Sequence, residues 1–292
     1  PPVSLVRTVA GLLFSDDFDR DDEDLVDSND WEGSTVLELV SNEIKSDPLN
    51  TAGFSHCLVE QATVSQSGEM VVQARLYMTG GIGFTPPRPG LTLAAQLART
   101  QCFGVEISRA SDVTPTLQLY RTTTGLPIVV LVEMTDLSIA IETFYTVKMH
   151  VKDSFQKVWF DTVEKAAATY AGNDAFTWSP GISRNVGGGS QPGTFAKYDD
   201  FFAYSSNIVT VTGLASGYKA QVGTVTAVEA AGTAAVDIAG QTCPIQRIKI
   251  LTGSGVLVES IIPVGGVFGG DTWAFTEPWV QDAEPVGSWV QD

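Results

Sequence analysis

Between residues 145 and 152, apolar and polar side chains change places at every step. Tyr145, Val147, Met149 and Val151 alternate with Thr146, Lys148, His150 and Lys152. A period of two sends successive side chains to opposite faces of an extended strand and leaves one face for a core. The pattern recurs with Met70, Val72, Ala74 and Leu76 against Val71, Gln73 and Arg75, and with Leu117 and Leu119 against Gln118 and Tyr120. Val105 and Ile107 flank Glu106 in the same way. On this reading His150 lies with Lys148 and Lys152 on a solvated face. Residues 126–132 are continuously apolar instead, which predicts a strand buried on both faces. Gly80, Gly81 and Gly83, the segment Pro86-Pro87-Arg88-Pro89-Gly90, and residues 187–193 punctuate these runs with turn chemistry. Ala166 to Thr169 offers one helical turn at most. Many short strands separated by such turns predict an all-β chain built as a sandwich or jelly roll.

The 292 residues suffice for one large or two modest domains. Residues 1–13 read as an N-terminal arm or an added strand, and residues 14–205 as the main β-body. Around Ser205-Ser206-Asn207 the composition turns to small and β-branched residues, which predicts a smaller C-terminal β-sandwich over 207–276. Residues 277–292 form a tail in which Trp279-Val280-Gln281-Asp282 returns as Trp289-Val290-Gln291-Asp292. Two copies are too few for a solenoid. Trp279 and Trp289 are candidate interface anchors, because Trp is enriched where subunits meet.

A net charge of −17, from 34 acids against 17 bases, argues against a nucleic-acid partner, which requires Lys and Arg clusters. It favours solubility. No apolar run approaches the roughly 18–20 residues of a membrane helix, and the first residues lack the pattern of a secretion signal. Cys57, Cys102 and Cys243 are too few and scattered for a disulfide framework and read as buried thiols.

Phe14-Ser15-Asp16-Asp17-Phe18, the early Trp31, the Tyr145–Val151 alternation, Trp159-Phe160, and the late Tyr198-Asp199-Asp200-Phe201 follow one another in a telling order. Together they resemble the concanavalin-A-like, laminin-G-like jelly-roll superfamily. The resemblance covers roughly residues 12–205 and implies that the first and last strands of the jelly roll pair. It further implies one structural calcium ion where those strands meet, with Asp17 and Asp200 as metal ligands. The segment Val209 to Phe275 looks, more loosely, like the β-modules that follow such jelly rolls in bacteriophage structural proteins.

Catalytic members of that superfamily carry Glu-x-Asp-x-x-Glu on one strand, because retaining glycoside hydrolysis needs two carboxyls about 5–5.5 Å apart. This chain offers Glu133, Asp136 and Glu142 at the wrong spacing. His56 and His150 alone give a Ser-His-Asp or zinc site little to draw on. The acidic stretch Asp17, Asp19, Asp21 has Asp22 where an EF-hand needs Gly and Ser28 where it needs Glu. Trp178 is the candidate ligand-binding residue for stacking on a sugar, against the competing reading of core packing.

The expectation is a non-catalytic virion protein: a decoration, fibre or tail-associated subunit of a bacteriophage-like particle, homo-oligomeric and in contact with other virion proteins. Binding of host-surface glycans is compatible with that role. A carbohydrate-binding adhesin or lectin module on a cell surface is the alternative, and a divergent glycoside hydrolase the third reading.

Overall fold

The computed structural model describes residues 8–10, 12–28, 30–35, 37–46, 53–60, 66–67, 69–79, 87–94, 101–108, 114–122, 129–152, 155–161, 163–169, 177–186, 195–238 and 248–261. Two large antiparallel sheets face each other. The first has eight strands, in the order Val129–Met134, Thr116–Thr122, Cys102–Ser108, Arg88–Ala94, Thr177–Val186, Gly53–Val59 and Trp31–Gly33, with Gln66–Ser67 beside Thr177–Val186. The second has nine, in the order Val163–Thr169, Phe155–Phe160, Phe144–Lys152, Glu69–Met78, Ala196–Tyr204, Ile44–Ser46, Leu37–Leu39 and Glu23–Asp24, with Leu12–Asp16 added against Ala196–Tyr204. Between the sheets lie the apolar members of the alternating runs. Met70, Val72, Ala74, Leu76, Val105, Ile107, Leu117, Leu119, Val147, Met149 and Val151 are all buried in one cluster.

The first and last strands of this body pair, Asp16 opposite Phe201 and Ser15 opposite Phe202. Their aromatic side chains then meet in the core. Trp31 stands 5.8 Å from Phe14, 6.0 Å from Phe18 and 5.0 Å from Phe201, centroid to centroid. These are edge or tilted contacts of the kind that adds stability beyond area burial. The body is an antiparallel two-sheet sandwich of jelly-roll type.

A smaller β-body follows. Its three-stranded sheet orders Thr8–Ala10, Ile208–Thr212 and Thr233–Asp237; its four-stranded sheet orders Val225–Val228, Lys219–Val222, Ile248–Leu251 and Leu257–Ile261. Part of the expected N-terminal arm is therefore a strand of this body, with Thr8 opposite Thr212 and Ala10 opposite Thr210.

The small body covers part of the outer face of the nine-stranded sheet, leaving Lys152 exposed. Val71, Phe202 and Tyr204 of the jelly roll share a buried cluster with Val209, Val211, Leu214, Val236 and Ile250. This corrects the expectation of a solvated face there. Lys148 is 2% exposed, and its Nζ donates to the Ile238 carbonyl at 2.9 Å. Gln73 is buried as well. His150 is largely buried, placed between the Glu69 carboxylate at 3.0 Å and the Asn207 amide at 3.3 Å, and its ring stacks on Trp159.

Two further expectations change. Of the apolar run over 126–132, the described part is not buried on both faces: Val129 and Val130 are 43% and 46% exposed, on an edge strand of the eight-stranded sheet. Ala166 to Thr169 extend a strand, Val163–Thr169, rather than turning as a helix. The tail 277–292, with Trp279 and Trp289, lies outside the described residues, as does Cys243.

Candidate functional site

The strand-closing junction brings together the carboxylates that the sequence singled out. Asp16 turns inward. Its Oδ1 accepts the Phe18 N–H at 2.8 Å and Arg20 Nη1 at 2.6 Å, and its Oδ2 accepts Trp31 Nε1–H at 2.8 Å. Asp17 is exposed, and its Oδ1 accepts the Asp19 N–H at 3.2 Å. On the closing strand, Arg75 Nη1 lies 2.6 Å from Asp199 Oδ2 and 3.6 Å from Asp200 Oδ2. Burial pushes the Asp199 carboxyl up to about 6, with repulsion from Asp200 adding and Arg75 opposing. Burial also raises Asp200, against the pull of Arg75 and with a further push from Asp17.

Calcium takes six to eight oxygens, usually with several carboxylates among them. Asp17 and Asp200 are close enough to repel each other, yet among the described residues no group of three or more His, Cys, Asp or Glu side chains could hold a metal. A guanidinium, that of Arg75, sits against the closing-strand carboxylates.

Trp178 is 3% exposed, and its ring packs edge-on against Phe103 at 4.9 Å within the core. Its strand alternation points it between the sheets. The ring therefore has no open face for a sugar, and core packing accounts for the residue. Glu133, Asp136 and Glu142 do not share a strand. Glu133 is on Val129–Met134, Asp136 lies beyond its end, and Glu142 sits in a turn at φ 60° with its N–H on the Met78 carbonyl.

The polar groups that do converge lie on the other face of the eight-stranded sheet. His56, Ser183, Gly90, Glu106, Gln118 and Glu133 occupy successive strands in direct register, one row across six strands. Glu106 Oε1 accepts Arg88 Nη1 at 3.1 Å, and Asn185 Nδ2 approaches its Oε2 at 3.3 Å. Gln118 Nε2 and Thr116 Oγ1 each donate to Glu133 Oε1 at 2.9 Å. Gly90 makes the centre of the row possible. A Cβ there would meet the Val105 carbonyl at 2.6 Å and Ser183 Oγ at 2.8 Å. At Gly104 a Cβ would strike the Tyr120 ring at 2.1 Å, so that ring lies across the bare glycine. Its hydroxyl reaches Ser183 Oγ at 3.4 Å, and Phe54 packs edge-on against it at 6.1 Å.

Exposure grades along the row. Ser183 and Glu106 are buried, Gln118 is half-buried and Glu133 is exposed. The open end thus offers amide and carboxylate groups already fixed in orientation by their neighbours. Sequence alternation marked Glu106 and Gln118 as lying off the core face. It carried no information on which strands would be neighbours, so the row was not readable.

Two carboxyls of this row, Glu106 and Glu133, are separated by one intervening strand. At about 4.8 Å per strand their backbones stand roughly 10 Å apart. Arg88 and Asn185 occupy the Glu106 oxygens.

No family model and no curated protein matches the chain. Solved structures resemble it at low identity. The carbohydrate-binding module CBM66 from Bacillus subtilis is 12% identical, over 61% of this chain and 98% of that one, with a TM-score of 0.47. The endo-β-1,3-glucanase of Pyrococcus furiosus is 13% identical, over 66% and 94%, at 0.49. The CBM2 module of the evolved Dit protein of Lactobacillus casei BL23 phage J-1 is 10% identical, over 68% and 96%, at 0.47. The jelly-roll architecture follows from the strand order above rather than from these scores.

Proposed function

We propose that this chain is a non-catalytic binding and structural subunit whose jelly roll recognises a carbohydrate on the outer face of its eight-stranded sheet. The observation that carries the reading is the polar row in register across six strands, buried at Ser183 and Glu106 and open at Gln118 and Glu133. Sugars present many hydroxyls at fixed angles, and recognition needs few but well-oriented amides and carboxylates. The hydrogen bonds that hold Gln118, Thr116 and Glu133 supply that orientation before any ligand arrives. The open end carries an exposed carboxylate on a chain of net charge −17, which favours neutral over acidic glycans.

Within this reading the chain serves as a decoration, fibre or tail-associated subunit of a bacteriophage-like particle and contacts copies of itself and other virion proteins. Two serial β-bodies, an acidic surface and a Trp-bearing tail support that placement. The test of binding is a glycan array followed by calorimetry with Gln118→Ala and Glu133→Ala. Binding should weaken about tenfold for each, the loss of roughly one hydrogen bond. An array without a hit removes the carbohydrate. New reducing ends released from mixed polysaccharides would replace the binding role with hydrolysis. A protein that stays strictly monomeric in light scattering and binds no particle component would remove the virion placement.

A further inference from the structure

The closing strand departs from regular geometry at the point where its two carboxylates follow one another. Its register against Glu69–Met78 shifts between Asp199 and Phe202, and Asp200 adopts φ 50°. In a regular strand consecutive side chains leave on opposite faces. The bulge removes that constraint and brings Asp199 and Asp200 to the same cation, Arg75. Arg75 is placed from both sides. It is in register with Asp199 on one neighbouring strand and with Thr146 on the other, and its guanidinium lies 4.6 Å from the centre of the Phe144 ring. A planar fork suits two carboxylates better than a point charge does.

We infer that Arg75 is the protein's own counter-charge for the closing-strand carboxylates, in place of the metal ion that the family resemblance implies there. The charge of the closing strand is then balanced from its Glu69–Met78 neighbour, and holding it needs no calcium. Asp17 stays outside the pair, exposed and engaged with the Asp19 N–H.

Thermal melting of the whole chain tests this. Metal-stripped protein and protein in a few millimolar calcium, above the dissociation constants of the weakest protein sites, should melt at the same temperature. Arg75→Met keeps the stem and removes the charge. It should lower Tm by about 3–6 °C, because it leaves two close carboxylates without a counter-charge. Arg75→Lys should fall between it and the unmodified chain. Adding Asp200→Asn to Arg75→Met should recover part of the loss, an effect that general damage to the strand would not produce. A saturable rise in Tm with calcium overturns the inference. So does an Arg75→Met variant that melts with the unmodified chain.

Discussion

At Asp16 three donors converge on one carboxylate: the Phe18 N–H, Arg20 and the indole of Trp31. Two of these donors have no water to turn to, because Phe18 and Trp31 are buried. Asp16→Ala therefore does more than remove bonds. It leaves buried N–H groups unsatisfied, at about 2–4 kcal/mol in all. Urea unfolding should show that loss as a lower midpoint at unchanged slope. A loss under about 0.5 kcal/mol would mean that solvent reaches the site. Lys148 gives a pH signature instead. Burial pulls its ammonium down to about 8, against the opposing charge of Asp237. Between that value and the ordinary lysine value of about 10.4, the unfolded chain holds a proton that the folded chain has released. Stability must then rise with pH across this window, by up to roughly 3 kcal/mol. The difference in stability between the unmodified chain and Lys148→Met isolates the effect. It should grow in favour of the unmodified chain from pH 8 to 10, and a flat difference would sink the assignment.

Strands were legible where burial depends on one face alone. Met70 to Leu76 and Tyr145 to Val151 send their apolar members into the core as period two requires. The opposite faces were not legible. Lys148 and His150 read as solvated, and Val71 and Gln73 read as the far face of a half-buried strand; all four are covered because a distant part of the chain packs there. The polar row failed for a related reason: Glu106 gains its meaning from Arg88 and Asn185, and only strand order brings those three together. The pairing of the first and last strands, which brings Phe14 and Trp31 against Phe201, was foreseen only through family resemblance. At the sheet edge, the run over 126–132 looked like core, and its described part, 129–132, is half solvent-facing. Such an edge with exposed valines is a template for unwanted pairing. Val130→Lys should cost less than about 0.5 kcal/mol, as substitutions at exposed sites do. It should also reduce concentration-dependent light scattering. A cost above about 2 kcal/mol would mean that the strand is covered in solution.

The two β-bodies are joined in more ways than a linker would give. The chain passes from the small body to the jelly roll between Ala10 and Leu12, and returns between Tyr204 and Ile208. Between these crossings Val71, Phe202 and Tyr204 share one apolar cluster with Val209, Val211 and Ile250, and Lys148 caps the Ile238 carbonyl. Neither body can unfold without exposing apolar surface on the other. Such coupling predicts a single calorimetric transition for the whole chain, with calorimetric and van't Hoff enthalpies equal. Val211→Ala in the small body and Phe202→Ala in the jelly roll should each shift that one transition downward, by about 1–5 kcal/mol. Because both residues belong to one cluster, their effects should fall short of additive. If the bodies were merely tethered, the scan would divide in two, and Val211→Ala would move only the transition of the smaller body. Two separate transitions would leave the buried cluster as a contact without thermodynamic consequence. One transition makes the small body part of the jelly roll's own stability, so that whatever grips the small body also holds the sheet behind the polar row.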